Sequence, residues 1–155
     1  MASSTSHPSW YRRFQLRAMN LFPPYAGAGI RVKRLDTAHY RVRLVLGFFN
    51  RNIFGTHFGG SLYAMCDPFF ALCLVEKLGS GWIVWDKAAS IRFRKPGRGT
   101  VTAEFAVADE RVEEIRRIAT ERGRAEPVFT VEVLDGDGEV VAEVEKVVFV
   151  KPKGR

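Results

Sequence analysis

Between Leu62 and Leu78 the chain reads LYAMCDPFFALCLVEKL, a nearly unbroken apolar run with one carboxylate, Asp67, set in its middle and Glu76-Lys77 near its end. Its length and composition favour a buried helix over a strand. Leu62, Met65, Cys66, Phe69, Cys73 and Leu74 would share one wide face, while Phe70 and Ala71 leave the opposite side apolar as well. A helix that is greasy all round needs cover on every side, and the rest of the chain has to supply it.

Alternating segments meet that need. Ile30 to Leu35 and Tyr40 to Leu46 read as two strands joined at Asp36-Thr37; in the second, Tyr40, Val42, Leu44 and Leu46 alternate with Arg41, Arg43 and Val45. Ile83 to Lys95 sets Ala89, Ile91 and Phe93 against Ser90, Arg92 and Arg94. After Pro96-Gly97-Arg98-Gly99, the residues Val101, Ala103, Phe105 and Val107 continue the pattern, which predicts a hairpin. Asp109 to Arg122 carries Val112, Ile115 and Ala119 at helical intervals, with Glu113 placed to pair with Arg117 across one turn. Val128 to Leu134 and Glu139 to Val150 flank Asp135-Gly136-Asp137-Gly138, a strong hairpin turn rather than a calcium loop. Upstream, Ser9 to Phe22 predicts an N-terminal helix that Pro23-Pro24 stops, with Gly27 and Gly29 as a flexible exit. The expected class is α+β: about six antiparallel strands, in a curved sheet, around one long apolar helix.

Composition narrows what such a fold does. The chain has 155 residues, 46% hydrophobic and 26% charged, enough apolar surface for one core and incompatible with intrinsic disorder. No stretch is long enough for a membrane span, and the start MASSTSHPSWYRRF lacks the apolar core of a secretory signal, so a cytoplasmic protein is expected. Cys66 and Cys73 alone cannot make a disulfide framework or a four-thiolate zinc site, and neither a metal nor a redox cofactor is expected. The net charge of +7 favours an anionic partner, but the Arg and Lys residues are dispersed, without the compact basic block and recognition helix of a dedicated nucleic-acid binder.

The segment Asn52-Ile53-Phe54-Gly55-Thr56-His57-Phe58-Gly59-Gly60, followed by Asp67, resembles the active-site signature of hotdog-fold acyl-CoA thioesterases, notably the phenylacetate-pathway and 4-hydroxybenzoyl-CoA branches. GTHFGGSL together with WDKAA and RFRKPG is similar to a branch grouped as tetrameric acyl-CoA thioesterases on fold alone. The resemblance implies a hotdog domain over residues 29–151 behind a helical extension over 1–28. It implies an acyl-CoA substrate whose coenzyme A moiety enters with it, and assembly as a homodimer or a dimer of dimers. It also implies roles: the Gly59 backbone N–H polarises the thioester carbonyl, Asn52 orients substrate or water, and Asp67 acts as nucleophile or general base. Gly60 belongs to the same glycine pair, Asp86 aligns with a polar position near the thioester, and Lys95 and Arg98 flank a turn that meets the coenzyme A phosphates.

The chemistry agrees with that pattern. Thioester hydrolysis needs donors where charge develops on oxygen, and the free N–H groups at a helix start supply them. Gly59 and Asp67 are eight positions apart, about 12 Å along one continuous helix. Two such helices running antiparallel near Tyr63 would bring Gly59 of one chain to Asp67 of another.

The chain also departs from the pattern. Phe58 stands where relatives carry His, and the imidazole has moved to His57, which is expected to stabilise the loop or reach the substrate. Pro68 predicts a kink at the acid. In so apolar a segment Asp67 has to be paired, exposed at a cleft or held for chemistry. Asp86 would repel it, or pair with Lys87 or an Arg, while Cys66 is expected to pack as a small hydrophobe. Two other activities share the scaffold: non-catalytic binding of acyl-CoA or an acyl carrier, and hydratase chemistry, which would need His57 and Asp67 to meet.

Overall fold

A computed structural model describes residues 18–154. After a helical turn over 18–21, the elements are α1 (Pro23–Ala28), β1 (Ile30–Asp36), β2 (His39–Val45), α2 (Gly59–Ala64), α3 (Phe69–Leu78), β3 (Trp82–Phe93), β4 (Thr100–Ala106), α4 (Asp109–Arg122), β5 (Val128–Leu134) and β6 (Val140–Pro152). The strands form one antiparallel sheet in the order β1-β2-β4-β5-β6-β3. One face wraps the central helices, as the α+β reading expects.

Period-two patterning fixes the inner face. Val32 lies opposite Val42, and Tyr40, Val42 and Leu44 lie opposite Phe105, Ala103 and Val101, all of them buried. Phe69, fully buried at the start of α3, gathers the rings of Tyr40 (5.8 Å) and Phe105 (5.0 Å). Phe70 stacks on Phe129 at 4.8 Å. Removing a ring so placed costs about 3–5 kcal/mol.

Three expectations change. The apolar run is not one helix: α2 ends at Ala64, a turn through Cys66 and Asp67 follows, and α3 restarts at Phe69. Pro68 has no N–H to give and disfavours helical geometry at the residue before it, so the rod breaks instead of bending. The helical turn over 18–21 does end before the twin prolines at 23 and 24, but these then open α1 where a flexible exit was expected, because Pro at the first helical positions gives up only a hydrogen bond that is unmade there. The expected helix over 9–17 lies outside the described residues. Finally, β3 and β4 do not form a hairpin: β3 pairs with β6 at one edge of the sheet and β4 sits between β2 and β5. Lys95 to Gly99 is therefore a crossover from that edge into the middle.

The other hairpin is as expected. Asp135 Oδ1 accepts from the N–H groups of Asp137 and Glu139, both at 3.0 Å, and Gly138 takes φ 81°, which suits glycine. Helix α4 keeps the expected span and buries Val112, Ile115 and Ala119, but Glu113 pairs with Arg116, while Arg117 pairs with Glu121.

Strand β3 differs from the rest. It has no buried residue, and Trp85 is 56% exposed. Its pairing with β6 shifts register between Asp86 and Ala88, where Lys87 is the extra residue of a bulge. Ala89 faces Lys146, Ile91 faces Val144 and Phe93 faces Ala142 on the inner side; plain alternation would send Lys87 inward next. The bulge sends Asp86 inward instead, and Lys87 turns out to Glu126 at 2.7 Å.

Candidate active site

Two clefts open along the β3 edge. At the Phe93 end, Asn52 organises its own loop: its Oδ1 accepts from the N–H groups of Phe54 (2.9 Å) and Thr56 (3.1 Å), and its Nδ2 donates to Thr56 Oγ1 (3.0 Å) and the His57 carbonyl (3.1 Å). Both amide hydrogens are thus used inside the loop. The His57 N–H bonds the Gly97 carbonyl at 3.0 Å, and the buried ring faces the Gly99 carbonyl through Nε2 at 3.0 Å. A carbonyl only accepts, so Nε2 carries the proton and Nδ1 is left as an unpartnered acceptor. Burial lowers the pKa of this imidazole against the pull of that carbonyl, keeping the ring neutral.

These bonds deliver Phe58 in an extended conformation (φ −66°, ψ 129°) as the cap of α2. Its carbonyl takes the N–H groups of Ser61 and Leu62, whereas those of Gly59 and Gly60 find no acceptor among the described residues. A β-carbon on Gly59 would meet Phe93 Cζ at 2.9 Å, and one on Gly60 would meet the Phe58 ring at 2.5 Å. Glycine here lets α2 start close against the strand. The cleft in front, about 410 Å³, is lined by Asn52, His57, Gly59, Leu62, Phe93 and Gly97 among others. Phe58 itself points outward, 59% exposed.

At the Asp86 end the lining is charged. Lys146, on β6 with a side chain wholly buried, directs Nζ to Asp67 Oδ1 (2.6 Å), Asp86 Oδ2 (3.0 Å) and the Tyr63 hydroxyl (3.2 Å). The side chain of Asp67 is 44% exposed, so the acid is paired and open to solvent at once. The Tyr25 hydroxyl fixes the link from behind by donating to the Asp67 carbonyl. Burial works against charge on Asp67, but the Lys146 ammonium outweighs it and holds the carboxyl below its ordinary value. Burial and the neighbouring Asp67 carboxylate push Asp86 the other way, and its Oδ1 has no partner. Lys146 keeps its proton because the two acids overcome its burial. Tyr63, Asp86 and Ala89 line the cleft here, about 440 Å³.

The sequence-predicted residues therefore separate into two groups: Gly59, Gly60, His57 and Asn52 at one end, Asp67 and Asp86 at the other. Lys95 lines the amide cleft but is tied to Asp135 (2.6 Å) and Glu139, while Arg98 is exposed and makes no ion pair among the described residues. Asp86 pairs with Lys146, not with Lys87 or an Arg. Cys66 is buried, and burial pushes its thiol up to about 12, in line with packing. Lys146 is the residue that sequence reasoning missed. Its signal was present: it takes an inward position in the series Ala142, Val144, Lys146, Val148, Val150.

Over residues 11–150 the chain matches the family described as a domain of unknown function, DUF4442. No curated protein matches it. Among solved structures it is similar to a Pseudomonas aeruginosa protein of unknown function described as a probable thioesterase, at TM-score 0.79 and 24% identity, covering 95% of this chain and 97% of that one. It is also similar to a Haemophilus influenzae thioesterase (TM-score 0.63, 14% identity, 88% and 90% covered) and to the Escherichia coli PaaI protein from the phenylacetic acid degradation operon (0.58, 18%, 93% and 95%). At these identities the likeness speaks for the fold. The chain belongs to the DUF4442 family, and its fold is the hotdog fold of those thioesterases.

Proposed function

We propose that this protein hydrolyses an acyl-CoA thioester at an interface between two copies of the chain. One observation carries the reading: free amide donors and a partly exposed, ionised carboxylate lie at opposite ends of one edge strand whose outer side has no partner strand among the described residues. Gly59 packs near Phe93, and Asp67 shares Lys146 with Asp86. Along α2 and the turn that continues it, Gly59 and Asp67 are eight positions apart, about 12 Å at helical rise, too far for one thioester group to touch both. If two β3 strands pair antiparallel about a two-fold axis near Ala89 and Ser90, Phe93 of each copy comes to Asp86 of the other, and two equivalent sites form. A long edge strand such as β3, with Trp85 and Phe93 open to solvent, is the kind that otherwise invites pairing.

In that site the Gly59 N–H of one copy receives the developing oxyanion, and Asp67 of the partner subunit faces the carbonyl carbon. Held below its ordinary pKa, Asp67 is ionised at neutral pH and a weak base, which favours attack by the carboxylate itself. The C–S bond breaks, coenzyme A leaves as thiolate and takes a proton, and water cleaves the acyl–aspartyl anhydride to give the free acid. The likeness to thioesterase structures points the same way. Hydratase chemistry has less support, because the His57 ring is buried and its Nε2 is engaged with the Gly99 carbonyl.

The test is thiol release from a panel of aryl- and alkyl-CoA esters by wild type and Asp67→Ala, with binding measured in parallel. Turnover that is lost in the variant while binding persists supports the enzyme. Tight binding by wild type with no turnover makes the protein a non-catalytic acyl-CoA module.

A further inference from the structure

We propose that Lys146 is a positioning residue for this hydrolysis: from beneath the sheet edge its ammonium clamps Asp67 and Asp86 together, so that Asp67 is presented to the substrate ionised and in one orientation. The inference deepens the proposed function and rests on it.

A lysine with no exposed side-chain surface is a costly choice on β6, where every other inward position from Ala142 to Val150 is apolar. Its neighbours across the sheet, Ala89 on β3 and Phe129 on β5, are apolar too. A well-packed Leu or Met at such a place often gives equal or greater stability than a buried ion pair. The lysine's polar contacts are therefore its distinguishing feature, and all three run to one side: Asp67 Oδ1, Asp86 Oδ2 and Tyr63 Oη. Three separate devices bring those groups together: the helix break at Pro68 frees Asp67, the Lys87 bulge turns Asp86 inward, and α2 carries Tyr63.

The other titratable groups around the cluster are the Tyr25 hydroxyl on α1, bonded to the Asp67 carbonyl, and the buried Cys66 thiol, and burial raises the pKa of both, leaving them uncharged at neutral pH. One cation thus serves two acids. Without it the two carboxyl groups would face each other in a half-buried site and hold a proton between them, as like-charged pairs do. Asp67 would then spend much of its time neutral and unable to attack.

The experiment compares pH profiles of kcat/KM for wild type, Lys146→Met, Lys146→Arg and the double variant Lys146→Met with Asp86→Asn, together with Asp side-chain titration followed by ¹³C NMR. The expected result for Lys146→Met is an acid limb moved up by about one pH unit or more, with kcat falling about tenfold or more below neutral pH and KM within about twofold. Lys146→Arg should restore most of the limb. Should Lys146→Met fail to fold, the double variant removes the opposing acid and is expected to fold with Asp67 still titrating above its wild-type position, because no cation then offsets its burial, and an unchanged Asp67 titration there would overturn the inference.

A purely structural lysine would lower thermal stability and leave the pH limb and the Asp67 titration where they were; that outcome overturns the inference. If wild type releases no thiol from any ester, the proposed function falls. The NMR titration then still decides the clamp, because an Asp67 signal that titrates higher in Lys146→Met upholds it and an unchanged one removes it.

Discussion

The two ends of strand β3 are built by opposite means. The amide end is made of backbone: Asn52, Thr56 and His57 hold a loop that ends in unpartnered N–H groups, and all of these residues lie within nine positions of one another. The acid end is made of side chains drawn from distant parts of the chain, Asp67 meeting Lys146 across 79 positions. Backbone donors tolerate side-chain exchange, which is why Phe58 can replace His without disturbing the start of α2. A charge cluster tolerates only exchanges that keep the charge, because each member compensates another.

That contrast orders the predictions. Asp67→Asn should have the largest effect, a loss of kcat on the order of 10³-fold with acyl-CoA binding retained, measured by thiol release and calorimetry. Full activity would remove the carboxylate from the reaction. Gly59→Pro should follow at about 10²–10³-fold. Proline suits the first turn of a helix and Phe58 is already extended, so this change deletes the donor with little strain, apart from a shift of the Phe93 ring tip. Unchanged turnover would place the oxyanion elsewhere.

Acid should expose the difference between the ends through stability. Asp67 titrates lower folded than unfolded, so its contribution is present above its ordinary carboxylate pKa and is lost as pH falls through the folded value. Asp86, raised, acts in the opposite sense: stability falls as pH rises from its ordinary value through the folded one. Asp67→Asn should therefore flatten the acid-side loss in melting curves and Asp86→Asn should not. A smaller effect is expected for Phe58→His, an exposed position, with stability within about 0.5 kcal/mol and turnover within a few-fold. A large gain would mean that an imidazole there reaches the thioester. The smallest is a null: Cys66 and Cys73, both buried with thiols pushed up to about 12, should resist thiol reagents in the folded protein at pH 8.

Much of this molecule was legible in its residues. Alternation in Tyr40 to Leu44 and Val101 to Phe105 located strands that do pair with each other. The glycine pair and its loop were legible because the motif is contiguous. What alternation does not contain is partner choice: the same Pro-Gly turn joins either a hairpin or a crossover, and β3 took β6. Nor does it contain a bulge. One extra residue at Lys87 reversed which of Asp86 and Lys87 points inward, and with that reversal the lysine partner moved from a neighbour in sequence to Lys146.

The account stands on the claim that a working site takes its amide from one copy and its acid from another. Gly59→Pro and Asp67→Asn, each inactive alone, should be mixed, dissociated and reassembled. Half of the dimers would then pair unlike chains, and each such dimer would hold one intact site out of two, so thiol release should recover to about a quarter of wild type. A mixture that forms mixed dimers and stays as inactive as its parents would contradict the claim, since it would mean that each chain carries both groups of its own site.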